Sequence, residues 1–191
     1  MSKIFIISGP SGAGEDSVIS GISKSFPIER IVTTTTRPMR AGESQKNPYY
    51  FVSKEEFEAK IRNDEMAEWA REYNDNLYGV TKKELERVGA SEKIGIWKIE
   101  YKGVITAKEK FFDIKSIYIA PPSLETLRKR ILKRDANVSK EYLEERMEYT
   151  KEWMKHEDIY DYKVINEEGK LNEAVEQVVK IIEANVNAKP D

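Results

Sequence analysis

Short apolar runs separated by stretches of helical spacing set the frame of this chain. Residues 4–7, 94–101, 114–120 and 162–165 read as strands. Ser123 stands as an N-cap before Leu124, Leu127 and Ile131, and Asn172 as the cap of a last helix carrying Val175, Val178, Val179 and Ile182. Strands alternating with helices predict an α/β fold in which a parallel sheet is covered by helices on both faces. Between about residues 31 and 93 the pattern changes to short β-rich pieces, 31–36 and 49–53, with a helix over 54–63. This stretch reads as an inserted lobe. The highly charged segment 129–156 reads as two helices around a connection at 135–139. The expected organisation is one domain over 1–185, with a core of 1–32 and 94–185, a lobe at 33–93, a helical segment at about 129–156, and a tail at 186–191.

Within 94–101, period two places Lys98 and Glu100 on one face and Trp97, Ile99 and Tyr101 on the other. Strands of a covered parallel sheet are usually apolar on both faces, so two charges near a C-terminal end point to the ligand crevice found there. An edge strand with one wet face is the alternative.

Composition narrows the class. A chain of 191 residues fits one domain with a real core, and 39% hydrophobic residues broken by polar ones read as a soluble protein. Thirty-two basic against 34 acidic residues leave a net charge of −2, so no global field favours nucleic acid or membrane. Neither an apolar stretch of about 18 residues nor a charged-then-apolar leader is seen, and a cytoplasmic protein is the expectation. The absence of cysteine excludes disulfides and thiolate metal sites. His156 is the only histidine and is expected on a solvated helix, leaving no histidine-based triad.

The most informative chemistry lies just after the first strand. Gly9, Ser11, Gly12 and Gly14 lie within a glycine-rich turn spaced as in G-x-x-x-x-G-K-[ST], but Glu15 stands where the lysine belongs and Asp16 where the metal-binding hydroxyl belongs, followed by Ser17. Such a loop aims backbone N–H groups and a helix N-terminus at an anion, while the lysine adds a cation and the hydroxyl helps hold magnesium. Exchanging an ammonium for a carboxylate removes an attraction and adds a repulsion, each about 4 kcal/mol for unit charges about 4 Å apart at an effective dielectric of about 20. The alternative is a plain strand-to-helix connection.

The loop is followed in order by Thr35-Thr36-Arg37-Pro38-Met39-Arg40-Ala41-Gly42-Glu43, Tyr50-Phe51-Val52, Glu68-Trp69-Ala70, Tyr78-Gly79 and Ala120-Pro121-Pro122-Ser123. Together these resemble the guanylate kinase family, over about residues 4–182. The resemblance implies a P-loop NTPase-like core, an inserted GMP-binding lobe and a helical lid. It implies that Arg37, Arg40, Tyr49 and Tyr78 hold the phosphate of GMP, that Glu68 and Glu100 accept from guanine N1–H and the N2 amine, and that Thr33 adds a hydroxyl. Arg134 and Arg146 match lid arginines that spread the charge of the transferring group, with Arg130 assisting, and Asn166 falls near the adenine of ATP. Mg2+ is the implied cofactor, with Asp16 and Ser17 as its candidate ligands.

The departures all concern the donor phosphates. Besides Glu15 and Asp16, Lys98 replaces an Asp of the family's strand motif, and Glu100 is longer than the usual Asp. The expected link is a cation lost at position 15 and regained at Lys98, with Glu15 pairing to it. Three outcomes stay open: a rewired ATP-dependent kinase acting on GMP, a silent GMP-binding pseudokinase, and a phosphopeptide-binding module.

Overall fold

The computed structural model describes residues 3–71, 75–134 and 138–187, except for the side chain of Arg134. Five parallel strands form the core sheet in the order β2-β7-β1-β8-β9. The central β1 (Ile4–Ser8) is buried along its whole length between β7 (Ile94–Lys98) and β8 (Lys115–Ala120). β2 (Ile28–Arg30) and β9 (Tyr162–Ile165) form the edges.

Alternation along β1 feeds two apolar layers. Phe5 and Ile7 pack on one side with Val18, Ile19 and Ile22 of α1 (Glu15–Ile22), Leu127 of α5 (Leu124–Arg134), and Val178 and Ile182 of α7 (Leu171–Asn187). Ile4 and Ile6 pack on the other with Trp97, with Tyr101, Val104 and Ala107 of α4 (Tyr101–Lys110), and with Trp153 of α6 (Lys140–Met154). A β-carbon at Gly21 would lie 2.4 Å from a methyl of Val175, so the close approach of α1 to α7 needs glycine there.

A second sheet, β4-β3-β6-β5, is built from β3 (Thr34–Thr35), β4 (Tyr50–Phe51), β5 (Met66–Arg71) and β6 (Leu77–Thr81). It pairs β3 with β4 in parallel and the other neighbours antiparallel. Its own small core gathers Phe57 of α2 (Lys54–Arg62) with Met66 and Leu77. α3 (Lys82–Gly89) follows β6 directly, capped by Thr81.

Several elements differ from the sequence pattern. Of the stretch expected as one strand at 31–36 only Thr34–Thr35 is a strand, paired with β4 and β6, and the core sheet takes instead the residues just before it, Ile28–Arg30, which pair with β7. The crossing is pinned by backbone N–H donation from Ile31 to the Ile96 carbonyl (2.9 Å) and from Val32 to Glu84 Oε1 (2.8 Å). The strand expected at 94–101 ends at Lys98; Glu100 is the N-cap of α4 and Tyr101 its first residue. Tyr101 turns inward because its ring packs against Trp153 and Tyr149. Asn172 lies inside the first turn of α7, which starts one residue earlier and runs through Asn187. His156 sits in the turn after α6, half-buried, its ring stacked 4.8 Å from that of Tyr101. Of the connection at 135–139, residues 135–137 lie outside the described residues.

Candidate functional site

The loop from Gly9 to Gly14 joins the C-terminal end of β1 to α1. Gly12 and Gly14 adopt left-handed φ values of 94° and 99°. The left-handed φ favours glycine at position 14, and a β-carbon there would also lie 2.4 Å from Asn166 Nδ2 and push that amide aside. Asn166 donates from Nδ2 to the Ala13 carbonyl (2.7 Å), and Arg130 donates to the Gly12 carbonyl (3.3 Å) and the Asn166 carbonyl (2.9 Å). Both side chains brace the loop from behind.

The front of the loop carries an anion of its own. Gly14 donates its backbone N–H to Glu15 Oε2 (3.1 Å), so the buried carboxylate takes a donor that such loops turn toward phosphate. Burial pushes the Glu15 carboxyl up, and neither Lys98 nor the backbone N–H groups reverse that. Contrary to the expected pairing, the hydrogen-bonded partner of Lys98 is Asp16: Nζ lies 2.6 Å from Oδ2, while Arg30 Nη2 lies 3.2 Å from Oδ1. Glu15 acts on Lys98 only through its field, because its own carboxylate is bent back onto the loop. Burial works against the charge on Asp16, but Lys98 and Arg30 outweigh it and hold the carboxyl below the ordinary range. Burial likewise pushes Lys98 down, and Glu15 and Asp16 more than restore it.

One cavity of about 500 Å3 connects this loop to the second sheet, its wall including Gly9, Ser11, Glu15, Asp16 and Lys98. Thr33, Arg37, Arg40, Tyr49, Glu68, Tyr78, Glu100 and Arg146 also line it. Residues scattered from position 9 to position 146 are thus brought to one surface. Gly12, Gly14, Ser17 and Asn166 are not among its lining residues, and Ser17 is exposed on the first turn of α1. Arg134 ends α5, with its side chain outside the described residues.

At the far end, Arg37 is buried and held by Glu43, which accepts from Nη2 at 2.7 and 3.0 Å, and by the Pro38 carbonyl at 2.7 Å. Its guanidinium lies over the rings of Tyr49 and Phe51 at 5.3 and 5.4 Å. Arg40 donates its backbone N–H to Glu43 (2.8 Å), and its side chain is exposed. Burial raises the Tyr49 and Tyr78 hydroxyls, which remain protonated donors. Glu68 is buried on β5, its Oε2 only 3.2 Å from where a β-carbon on Gly103 would stand. Both carboxylates, Glu68 and Glu100, therefore gather at the N-terminal turn of α4.

Helix α6 spans both ends of the cavity. Arg146 donates to Ser11 Oγ of the loop, with its Nε on the Tyr142 hydroxyl at 2.8 Å, and one turn later Tyr149 donates its hydroxyl to Glu100 Oε2. Arg30 and Tyr149 carry no sequence signal, and Glu43 lies in the quoted motif without an assigned role, since a lone charge or aromatic on an element shows no partner until the chain is folded. Glu84 was missed for the same reason. It is buried, accepts from Val32 N–H and holds Arg87 Nε at 3.0 Å at the crossing between the sheets.

Comparison with known proteins agrees over the chain's length. The family model described as guanylate kinase matches residues 1–185. A guanylate kinase of Francisella tularensis subsp. holarctica (strain LVS) is 38% identical over 194 residues, covering 97% of this chain and 98% of its own. One from Thermotoga maritima is 37% identical over 181 residues, covering 94% and 86%. The crystal structure of guanylate kinase from Anaplasma phagocytophilum superposes with a TM-score of 0.75 at 28% identity, covering 97% of this chain and 87% of that one. A parallel sheet with a glycine-rich loop at its centre, a cavity reaching from that loop to a second small sheet, and relatives matched almost end to end place this chain in the guanylate kinase family.

Proposed function

We propose that this chain binds GMP in the cavity and transfers to it the terminal phosphoryl group of ATP, giving GDP and ADP. The observation that carries the reading is the shared cavity itself, with Arg37, Arg40, Tyr49 and Tyr78 toward one end and Ser11, Lys98 and Arg146 toward the other. The arginine forks and tyrosine hydroxyls suit the 5′-phosphate. Glu68 and Glu100 accept from guanine N1–H and the N2 amine, with Thr33 adding a hydroxyl. Adenine presents an acceptor at N1 and no amine at C2, so the carboxylates select against it. Positioning and electrostatics carry this class of reaction, and no dedicated base is needed.

On the donor side, Lys98 takes over the role of the loop lysine by turning from Asp16 to the phosphates, and Arg146 and Arg134 spread the developing charge from the lid, about residues 129–156. Asn166 borders the adenine. The donor set suits magnesium, which keeps several waters and takes one or two carboxylates beside nucleotide phosphates. Asp16, on the cavity wall, would hold it, with Ser17 beside it, and its charge would offset that of the donor phosphates. The setting is the cytoplasm, with no nucleic acid or membrane partner, in keeping with the near-neutral net charge.

One observation favours a second reading, a GMP binder that transfers nothing: Glu15 already occupies the Gly14 N–H. An assay of magnesium-dependent ADP release with GMP, run beside Glu15→Lys/Asp16→Ser, decides between them. Turnover by the unmodified chain, raised at least tenfold in the double variant, is the expected result. Turnover only in the variant selects the silent binder, and no binding of GMP by calorimetry sinks both.

A further inference from the structure

Tyr149 lies outside the loop and the lining of the cavity, yet its hydroxyl donates to Oε2 of Glu100, one of the two carboxylates at the cavity's base-reading end. Although Glu100 is the N-cap of α4, its side chain makes no capping hydrogen bond to that helix. The carboxylate is directed instead across to α6. The tyrosine ring is itself held. It packs against Tyr101 with centroids 6.0 Å apart and edge-on against Trp153 at 6.0 Å, and the Lys102 ammonium stands 5.9 Å above it. A phenol fixed by two aromatic neighbours is a rigid donor, with little freedom left to lose when it orders its partner.

We infer that Tyr149 is a positioning residue for base selection, holding the Glu100 carboxylate in the orientation in which it accepts from the guanine edge. A glutamate has one more rotatable bond than an aspartate and wanders unless held, and a base-reading acceptor discriminates only if it is held in place. The phenol supplies that restraint from outside the cavity, without occupying space meant for the base. Because Tyr149 stands one turn beyond Arg146, which touches Ser11, the same helix face meets both the carboxylate and the phosphate loop. The inference rests on the proposal that the cavity holds GMP.

The test is a double-mutant cycle with Tyr149→Phe, which keeps the ring and removes only the hydroxyl, and Glu100→Gln. GMP and AMP affinities are measured by calorimetry, AMP by displacement where it binds weakly, with melting temperature as the check on folding. Expected is a loss of about fivefold or more in GMP affinity for Tyr149→Phe, little change for AMP, and a further loss under twofold when the change is made in the Glu100→Gln background. A GMP affinity unchanged in Tyr149→Phe, equal losses for both nucleotides, or losses that multiply across the cycle would overturn the inference while leaving GMP binding intact. Failure of the unmodified chain to bind GMP is a separate outcome, which removes the underlying reading and this inference with it.

Discussion

The unusual chemistry of this protein is concentrated in three side chains, Glu15, Asp16 and Lys98, which together invert the charge order of a phosphate-binding loop. Glu15 is the one held at a cost. A carboxyl raised in the folded state by burial imposes no penalty below the ordinary carboxylate range, and the penalty grows as pH rises through its folded value. Glu15→Gln is therefore expected to raise the melting temperature at pH 7 to 8, with the gain fading toward pH 4. A gain that stays constant or grows on acidification would contradict the buried, ionising carboxyl. Asp16 has the opposite sign: its lowered carboxyl contributes stability at neutral pH that is lost as pH falls through the acid range. For Lys98→Ala, Mg-ATP affinity is expected to fall about tenfold, the equivalent of about 1.4 kcal/mol, and an unchanged affinity would favour the silent binder.

At the scale of elements, local signals and packing carry different parts of the structure. The start of α2 is written locally: Ser53 accepts from the Glu56 N–H (3.1 Å) and Glu56 accepts from the Ser53 N–H (2.7 Å), forming a capping box. Ser53→Ala is expected to cost about 1 kcal/mol in denaturant titration without altering GMP affinity. β8 illustrates the other case. Its Tyr118 is fully buried and stacked on Tyr160, yet the hydroxyl meets no hydrogen-bond partner among the described residues. Tyr118→Phe removes an unmatched polar atom and keeps the ring, so a gain of about 1 kcal/mol is expected. A loss of similar size would show that the hydroxyl is satisfied. β5, β6 and α3 escaped the sequence pattern because neither strand alternates cleanly: β5 is buried over Met66, Ala67 and Glu68 in succession, and β6 buries Leu77, Gly79 and Val80 with Tyr78 and Thr81 half-buried, while α3 buries only Glu84 and Val88. Period-based reading has little to hold where one charged residue replaces an apolar anchor.

For the whole molecule, the cavity is where two sheets, the loop and α6 are joined, so ligand binding couples to global stability. GMP at a hundred times its dissociation constant is expected to stabilise the fold by about 2.7 kcal/mol, read as a rise in melting temperature, whereas a matched concentration of AMP leaves it nearly unchanged. Equal shifts would remove the argument from Glu68 and Glu100. The crossing between the sheets is braced by Glu84, Arg87 and Glu29, and Arg87 also donates to the Arg30 carbonyl (3.1 Å). Arg30 in turn reaches Asp16. A continuous polar path thus runs from α3 beside the second sheet to the glycine-rich loop and Lys98.

Much of this protein was determined by the order of its residues alone. The buried strands, the parallel core and the glycine-rich turn follow from apolar runs, alternation with helices and left-handed backbone positions, all of which are short-range or periodic properties of the chain. The motif order carries the family for the same reason, since each piece is contiguous. What only the tertiary structure decided is which charge meets which. Asp16 rather than Glu15 binds Lys98 because Glu15 is folded back onto Gly14, and Arg30 joins them only because β2 and α1 come together across the sheet's end. The tyrosine on Glu100 likewise arrives from a helix 49 residues away. Charges act through space and carry no periodicity, so their partners are set by the folded distances.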